Sequence, residues 1–365
     1  MTVSSAAVAT ADLPRSSRIA GSCAVRPQMA MDGFCTLLPG GAVAVPFVEV
    51  PPYRIDADDR AWFKQCRRAW DLGARARRGY EPTQPRATSP ADRLAAGLVE
   101  ALAVYYYPGM WAWDRAVVMP IVHQALDRAL RNAAPADAAP GHRLLDRYAA
   151  WAPAEDRFTP VVVAAEIEVN VPDPLIGDRE LATDDGMPVT YATHIDGVVF
   201  DEDEEQPLLL SHQVGAGPAA DPIFLTLEER RLAAAWAYGQ STLDRRIAGI
   251  VVNEVRLDGD GTPFRRTHLV VGATEIELAG RQLGREVLDM LDAGLWLYPN
   301  PTEDGCARCA FTGPCRAMRL GEDADMLLRT GFRTRPLNDQ VEGRLGGRTW
   351  SMGRGARPRR WGEQD

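Results

Sequence analysis

The chain has 365 residues, 46% of them hydrophobic and 25% charged, an ordinary globular composition with ample material for a core. Its 50 acidic residues outnumber 41 basic ones, and the formal net charge of −9 excludes a uniformly basic nucleic-acid coat while leaving room for a local basic groove. There is no run of about 18 apolar residues to span a membrane, and the N-terminus lacks the charged start and apolar stretch of a secretory signal, so the expected compartment is the cytoplasm.

Residues 1–50 are rich in Ala, Ser, Val and Gly and read as a flexible extension, with a strand pattern only over Val43–Val50. From Asp56 to about Arg78 the apolar positions Trp62, Phe63, Cys66, Ala69, Trp70 and Gly73 recur at spacings of three and four, which predicts a helix. Ser89-Pro90 offers a helix start, and that helix runs to Tyr107 before Pro108-Gly109. Helices over Trp113–Ala133, interrupted at Pro120, and Gly141–Ala152 flank an Ala/Pro-rich loop at Ala134–Pro140.

The period then changes from helical spacing to alternation. Val161–Val171, Val189–Asp201 and Leu208–Val214 read as strands, with the acidic run Asp201–Glu205 as a solvated turn. Leu227–Tyr238 reads as a helix, Ile247–Leu257 and Pro263–Val271 as a strand pair, and Thr274–Ala293 as a helix before a cysteine-bearing loop. An Arg-, Gly- and Pro-rich tail follows over 331–365. The order predicts an α/β domain over 51–330 with a mixed central sheet flanked by helices.

Of the six cysteines, Cys306, Cys309 and Cys315 form a C-x2-C-x5-C cluster, a spacing that lets thiolates converge on one metal centre. Three thiolates are one short of a tetrahedral set, and Cys66, inside the aromatic and basic stretch Trp62–Trp70, is the candidate fourth. Cys23 and Cys35 lie in the unpatterned extension and are read as incidental. The expected group is a 4Fe–4S cluster, with zinc as the alternative. Among 41 basic residues a single one is lysine, Lys64, so any chemistry that requires a lysine can use only that residue.

One cysteine before the core and three after it resembles the RecB-type branch of the PD-(D/E)XK nuclease superfamily, which includes AddB-like helicase–nuclease subunits and CRISPR-associated exonucleases. Phe63-Lys64-Gln65-Cys66-Arg67-Arg68-Ala69-Trp70 is similar to that branch's opening helix, with Arg67 where Pro is common. Tyr298-Pro299-Asn300-Pro301 leading into the three cysteines resembles its closing element, and Thr193-His194-Ile195-Asp196-Gly197 resembles its first carboxylate strand. The resemblance covers roughly residues 55–320. It implies a restriction-endonuclease-like core joined end to end by the cluster, with carboxylates holding Mg²⁺ or Mn²⁺ beside the scissile phosphate.

Measured against that pattern, Asp196 matches the first carboxylate and Glu166 the upstream one, and both are candidate metal ligands. Ser211-His212-Gln213 stands where acid-x-Lys belongs, and Arg230-Arg231-Leu232 where a Gln-bearing helix motif belongs. The histidine that the pattern places on a helix near Gly97 is absent, since Leu98-Val99-Glu100 follows. Losing one preorganised electrostatic contact costs a factor of about 10² to 10³ in rate. The implied function is nucleic-acid binding with lost or much weakened phosphodiester hydrolysis. The alternatives are an active metal-dependent exonuclease with a migrated site using Asp196, Glu166 and His212, and a non-catalytic iron–sulphur scaffold in a larger complex. DNA, single-stranded or as duplex ends, is the expected partner, with Arg67, Arg68 and Arg231 as phosphate contacts; a protein partner is the other. The aromatic run Tyr105–Trp113 is read as core packing or a partner surface ahead of a stacking platform for bases. His194 and His212, near Asp196, are read as hydrogen-bonded structural residues ahead of metal ligands.

Overall fold

The computed structural model describes residues 52–335 apart from 85–86, 132, 134, 178, 243–245 and 259–261. The chain divides between Glu49 and Val50, and all described residues belong to the second unit. The extension expected over 1–50, with Cys23 and Cys35, and the tail beyond Arg335 lie outside the described residues.

In chain order the elements begin with β1 (Tyr53–Asp56), α1 (Ala57–Gln65), α2 (Arg67–Gly73), β2 (Tyr80–Pro82) and α3 (Pro90–Tyr105). The helix expected over Asp56–Arg78 is therefore two. Cys66 breaks it, with φ −161° and ψ 104°, serving as the C-cap of α1 and the N-cap of α2. The apolar period survives the break because Phe63 and Trp70 enter the same core and meet edge to face at 5.0 Å. Ser89 caps α3 as expected, its side chain accepting from the Asp92 N–H.

Next come α4 (Arg115–Ala129) and α5 (Pro135–Glu155). The expected Ala134–Pro140 loop is largely helical, because α5 starts with a proline at its first position, where no N–H is needed, and continues through Pro140. Then follow β3 (Phe158–Asn170), β4 (Val189–Asp201), β5 (Pro207–Gly215), α6 (Pro222–Thr226), α7 (Glu229–Ser241), β6 (Gly249–Arg256), β7 (Phe264–Val270) and α8 (Ala273–Leu291). The acidic run is a turn in which the Asp201 carboxylate accepts from the N–H groups of Asp203 and Glu204. The cysteine segment is not a loop: it forms α9 (Glu303–Arg308) and α10 (Thr312–Leu320), since Pro314 falls in the first turn of α10, where it is tolerated. After α11 (Ala324–Gly331), β8 (Phe332–Thr334) pairs antiparallel with β2, so the folded part continues past the expected boundary at 331.

Among the described residues six strands form one mixed sheet, ordered β1-β4-β5-β6-β7 with β3 on the other edge of β4. β1–β4 and β5–β6 are parallel and the remaining pairs antiparallel. One core packs Trp236 and Ala234 of α7 and Leu283 and Val287 of α8 against Ile250 and Val252. The other packs Leu98, Leu102 and Tyr105 of α3, Val122 of α4 and Tyr148 of α5 against Leu208, Leu210 and Val251. The expected mixed sheet flanked by helices is therefore present. No helix among the described residues is long and apolar enough to cross a membrane.

β4 carries a fork. Its outer edge pairs with β1 over Val189–Ala192 and with β5 over Gly197–Phe200. Thr193 to Asp196 lie between, paired with neither strand on that edge, and this is the stretch that resembles the nuclease carboxylate motif.

Candidate functional site

The fork explains what Asp196 does. β5 turns away from β4 beyond Leu210, so the backbone amide of His212 has no ladder partner on β4. A buried amide left unpaired costs about 1–3 kcal/mol. The Asp196 carboxylate takes its place, with Oδ2 accepting the His212 N–H at 2.7 Å. His194 Nε2 stands 3.9 Å from the other carboxylate oxygen.

Across the strand pair, Glu166 faces His194 in register, two residues along β4 from Asp196. Glu166 is exposed. Between the register pairs Val163–Gly197 and Ala165–Ile195 lies Ala164, opposite Asp196, with φ +47°. A non-glycine residue held there costs of order 1–3 kcal/mol and marks a place the surroundings over-determine. Ala164, His194, Asp196 and His212 line, with Val99 and Ala103 of α3, a cavity of about 10 Å³. That is at the lower limit for a single water molecule. Among the described residues no three His, Cys, Asp or Glu side chains stand together as holders of one metal ion.

The residues at the acid-x-Lys positions are held from the opposite direction. Along β5 the side chains alternate, so Ser211 and Gln213 meet α7 while His212 points the other way. Arg231 of α7 donates from Nε to Ser211 Oγ at 3.1 Å and from Nη2 to Gln213 Oε1 at 3.0 Å. Its third nitrogen is paired with Glu228. Burial lowers the Arg231 pKa, opposed by the charges of Glu228, Asp196 and Glu254. The guanidinium is thus satisfied by protein groups and does not face solvent as a phosphate contact, as the sequence suggested.

His212 does not serve as the expected substitute base. It is half-buried, stacked on Tyr106 with ring centroids 5.7 Å apart; its Nδ1 lies 2.9 Å from Asn253 Nδ2, and its Nε2 is buried without a hydrogen-bond partner. Burial lowers its pKa to about 4, with Asp196 opposing and Arg266 assisting. A base whose conjugate acid titrates there is a weak proton acceptor at neutral pH. Lys64 offers no rescue, since its ammonium pairs with Glu229 and with Glu286 at 2.7 Å. Beside it the buried Arg60 donates from Nε to Glu286 at 2.7 Å.

Behind His212 lies a polar core that sequence reasoning missed. Arg266 of β7 pairs with Asp156 and donates from Nη2 to the hydroxyls of Tyr106 at 2.9 Å and Tyr148 at 3.1 Å. The two side chains of the ion pair are only 2% and 3% exposed. Burial raises the pKa of Asp156 and that of both tyrosines. Tyr105 and Tyr106 are therefore core residues, the reading preferred for the aromatic run.

Cys66 sits at the α1–α2 break, Cys306 in α9, Cys309 at its C-cap and Cys315 in α10. All four are free and half-buried. The Cys309 thiol is pushed up by burial, opposed by the Phe311 N–H, and further raised by Cys66, Cys306 and Cys315 as electrostatic neighbours. The two ends are tied there in other ways as well. Asn300 donates to the Gln65 carbonyl at 2.9 Å, and Arg68 Nη1 points at Cys315 Sγ from 3.6 Å. The Arg67 guanidinium lies over the rings of Phe63 at 5.1 Å and Tyr298 at 5.3 Å. Both arginines expected to contact phosphate are thus half-buried in the cysteine region. What remains exposed beside them is aromatic: Tyr298 at 53% and, two residues earlier, Trp296 at 81%.

No protein-family model and no curated protein matches the chain.

Proposed function

We propose that the protein is a nucleic-acid-binding relative of the RecB-type PD-(D/E)XK nucleases in which phosphodiester hydrolysis is lost or much weakened. The observation that carries this reading is the pair of hydrogen bonds from Arg231 to Ser211 and Gln213. These neutral side chains stand at the acid-x-Lys positions of the resemblance, and a guanidinium now occupies the space beside them. A divalent ion needs negative ligands there, and a buried arginine excludes one by charge. Asp196 is bound to a backbone amide and His212 is neutral, so neither supplies the missing charge. The forked sheet supports the nuclease-like core, because the fork leaves β4 unpaired on one edge at the residue that matches the first carboxylate.

Cys66, Cys306, Cys309 and Cys315 would hold the 4Fe–4S cluster, or zinc as the alternative, as a structural clasp between α1–α2 and α9–α10. The donor set fits such a group. The other three thiols are electrostatic neighbours of Cys309 and help to push its pKa up, so a cation among them would be favoured, and Phe311 N–H and the Arg68 guanidinium point at two of the sulphurs.

Nucleic acid would meet the chain beside that clasp, where Trp296 and Tyr298 offer faces for bases and Arg67 adds a cation. Fluorescence anisotropy with a labelled single strand tests this. Binding should weaken as salt rises, and Trp296→Ala should cost about 1–3 kcal/mol, the value of one stacked base. No binding to either single strands or duplex ends would refute the reading and favour the scaffold alternative.

A further inference from the structure

His123 of α4 and His142 of α5 face each other across the contact between those helices, with their Nδ1 atoms 2.8 Å apart. Each ring is anchored at its far nitrogen on the other helix. His123 Nε2 lies 2.9 Å from Asp146 Oδ1, and His142 Nε2 lies 2.8 Å from Asp127 Oδ1. The sequence repeats the unit, His-x3-Asp on α4 and His-x3-Asp on α5.

The proton count follows from the acceptors. A carboxylate only accepts, so both Nε2 atoms carry hydrogen. Two neutral rings would then point their Nδ1 lone pairs at each other. Something positive must lie between them, either one shared proton or a metal ion. The carboxylates at the two ends compensate that charge, and they also fix the tautomer that presents Nδ1, as carboxylates do behind metal-bound histidines.

We propose that His123 and His142 form a two-histidine site for a divalent first-row ion of tetragonal preference, copper(II) or nickel(II), completed by solvent. Two nitrogens 2.8 Å apart, each about 2.0 Å from one ion, subtend about 90°, the angle between neighbouring positions of a square-planar or octahedral ion. A tetrahedral ion would need them about 3.3 Å apart. The imidazoles are 24% and 30% exposed and the aspartates 66% and 61%, so water reaches the remaining positions. On binding, two Nδ1–metal bonds form, one Nδ1–H bond breaks, and the proton leaves to solvent. The site is separate from the β4 fork and from the cysteines.

Calorimetric titration of the full-length protein with Ni²⁺ alone tests the proposal. One equivalent should bind at a site that His142→Ala and His123→Gln each abolish. Asp127→Asn should weaken that site about 10- to 100-fold with both ligands intact. Where the pair holds its proton, affinity should rise tenfold per pH unit, the signature of one displaced proton. Circular dichroism of the variants separates loss of a ligand from loss of fold, and Asp127→Asn keeps the test valid if either histidine variant unfolds. Equal binding by wild type and both histidine variants overturns the metal site and leaves a shared proton only.

Discussion

His212 gives the most discriminating stability prediction. Its pKa falls from 6.5 to about 4 because burial in the folded protein desolvates the ring. The unfolded chain therefore binds a proton below about pH 6.5 that the folded protein refuses until about pH 4. Stability must fall as pH falls through that window. The shift of roughly 2.5 units corresponds to about 3 kcal/mol, with about 2 kcal/mol already lost at pH 5. Asp59 titrates in the same window with the opposite sign. Burial raises its pKa from 3.8 to about 7, so the folded state holds the proton and Asp59 loses stabilisation as pH rises. The measurement must therefore be a difference. Urea unfolding of wild type and His212→Gln, from pH 7.5 to pH 4, cancels Asp59 and every other group common to both. After the offset at pH 7.5 is removed, wild type should lose about 3 kcal/mol relative to the variant by pH 4. Parallel curves would show that His212 titrates alike in the folded and unfolded chain and is not held neutral by burial.

Three further outcomes follow from the packing. Asp156→Ala leaves the Arg266 guanidinium buried without its carboxylate and should cost about 3–5 kcal/mol in denaturant unfolding. A cost below about 1 kcal/mol would mean that water reaches Arg266. Gly280→Ala places a methyl group 2.2 Å from the indole nitrogen of Trp236. Overpacking there should lower stability by about 1–3 kcal/mol, seen as a lower melting temperature. Cys309→Ser should remove the visible absorption and most of the iron from the isolated protein, whereas stoichiometric zinc in the wild type would replace the iron–sulphur reading by the zinc alternative.

The strands were the most legible part of the chain. Val189–Asp201 matches β4 residue for residue, because a run rich in β-branched residues, most of them buried, reads as a strand by composition and bounding turns. β1 was invisible: four residues after Pro51-Pro52 carry too little pattern, and only pairing with β4 fixes them. The break at Cys66 was hidden because both helices bury one apolar face, so the spacing runs on through an extended residue. In the site, sequence singled out Ser211 and Gln213. It did not foresee Arg231 between them, since a bond from α7 to β5 depends on which face of each element meets the other. The same holds for Arg266 and Asp156, 110 residues apart and silent in any local window. The signal available was an arginine alternating into a strand that buries its neighbours.

The central claim is that a nucleic-acid-binding chain has exchanged its metal-binding charges for a self-satisfied arginine. Single-turnover incubation of excess protein with end-labelled single-stranded and duplex DNA, in Mg²⁺ and in Mn²⁺, tests it directly. The account predicts a shifted complex from which the label is recovered at full length. Shortened products that require the metal and vanish in Asp196→Ala would contradict it.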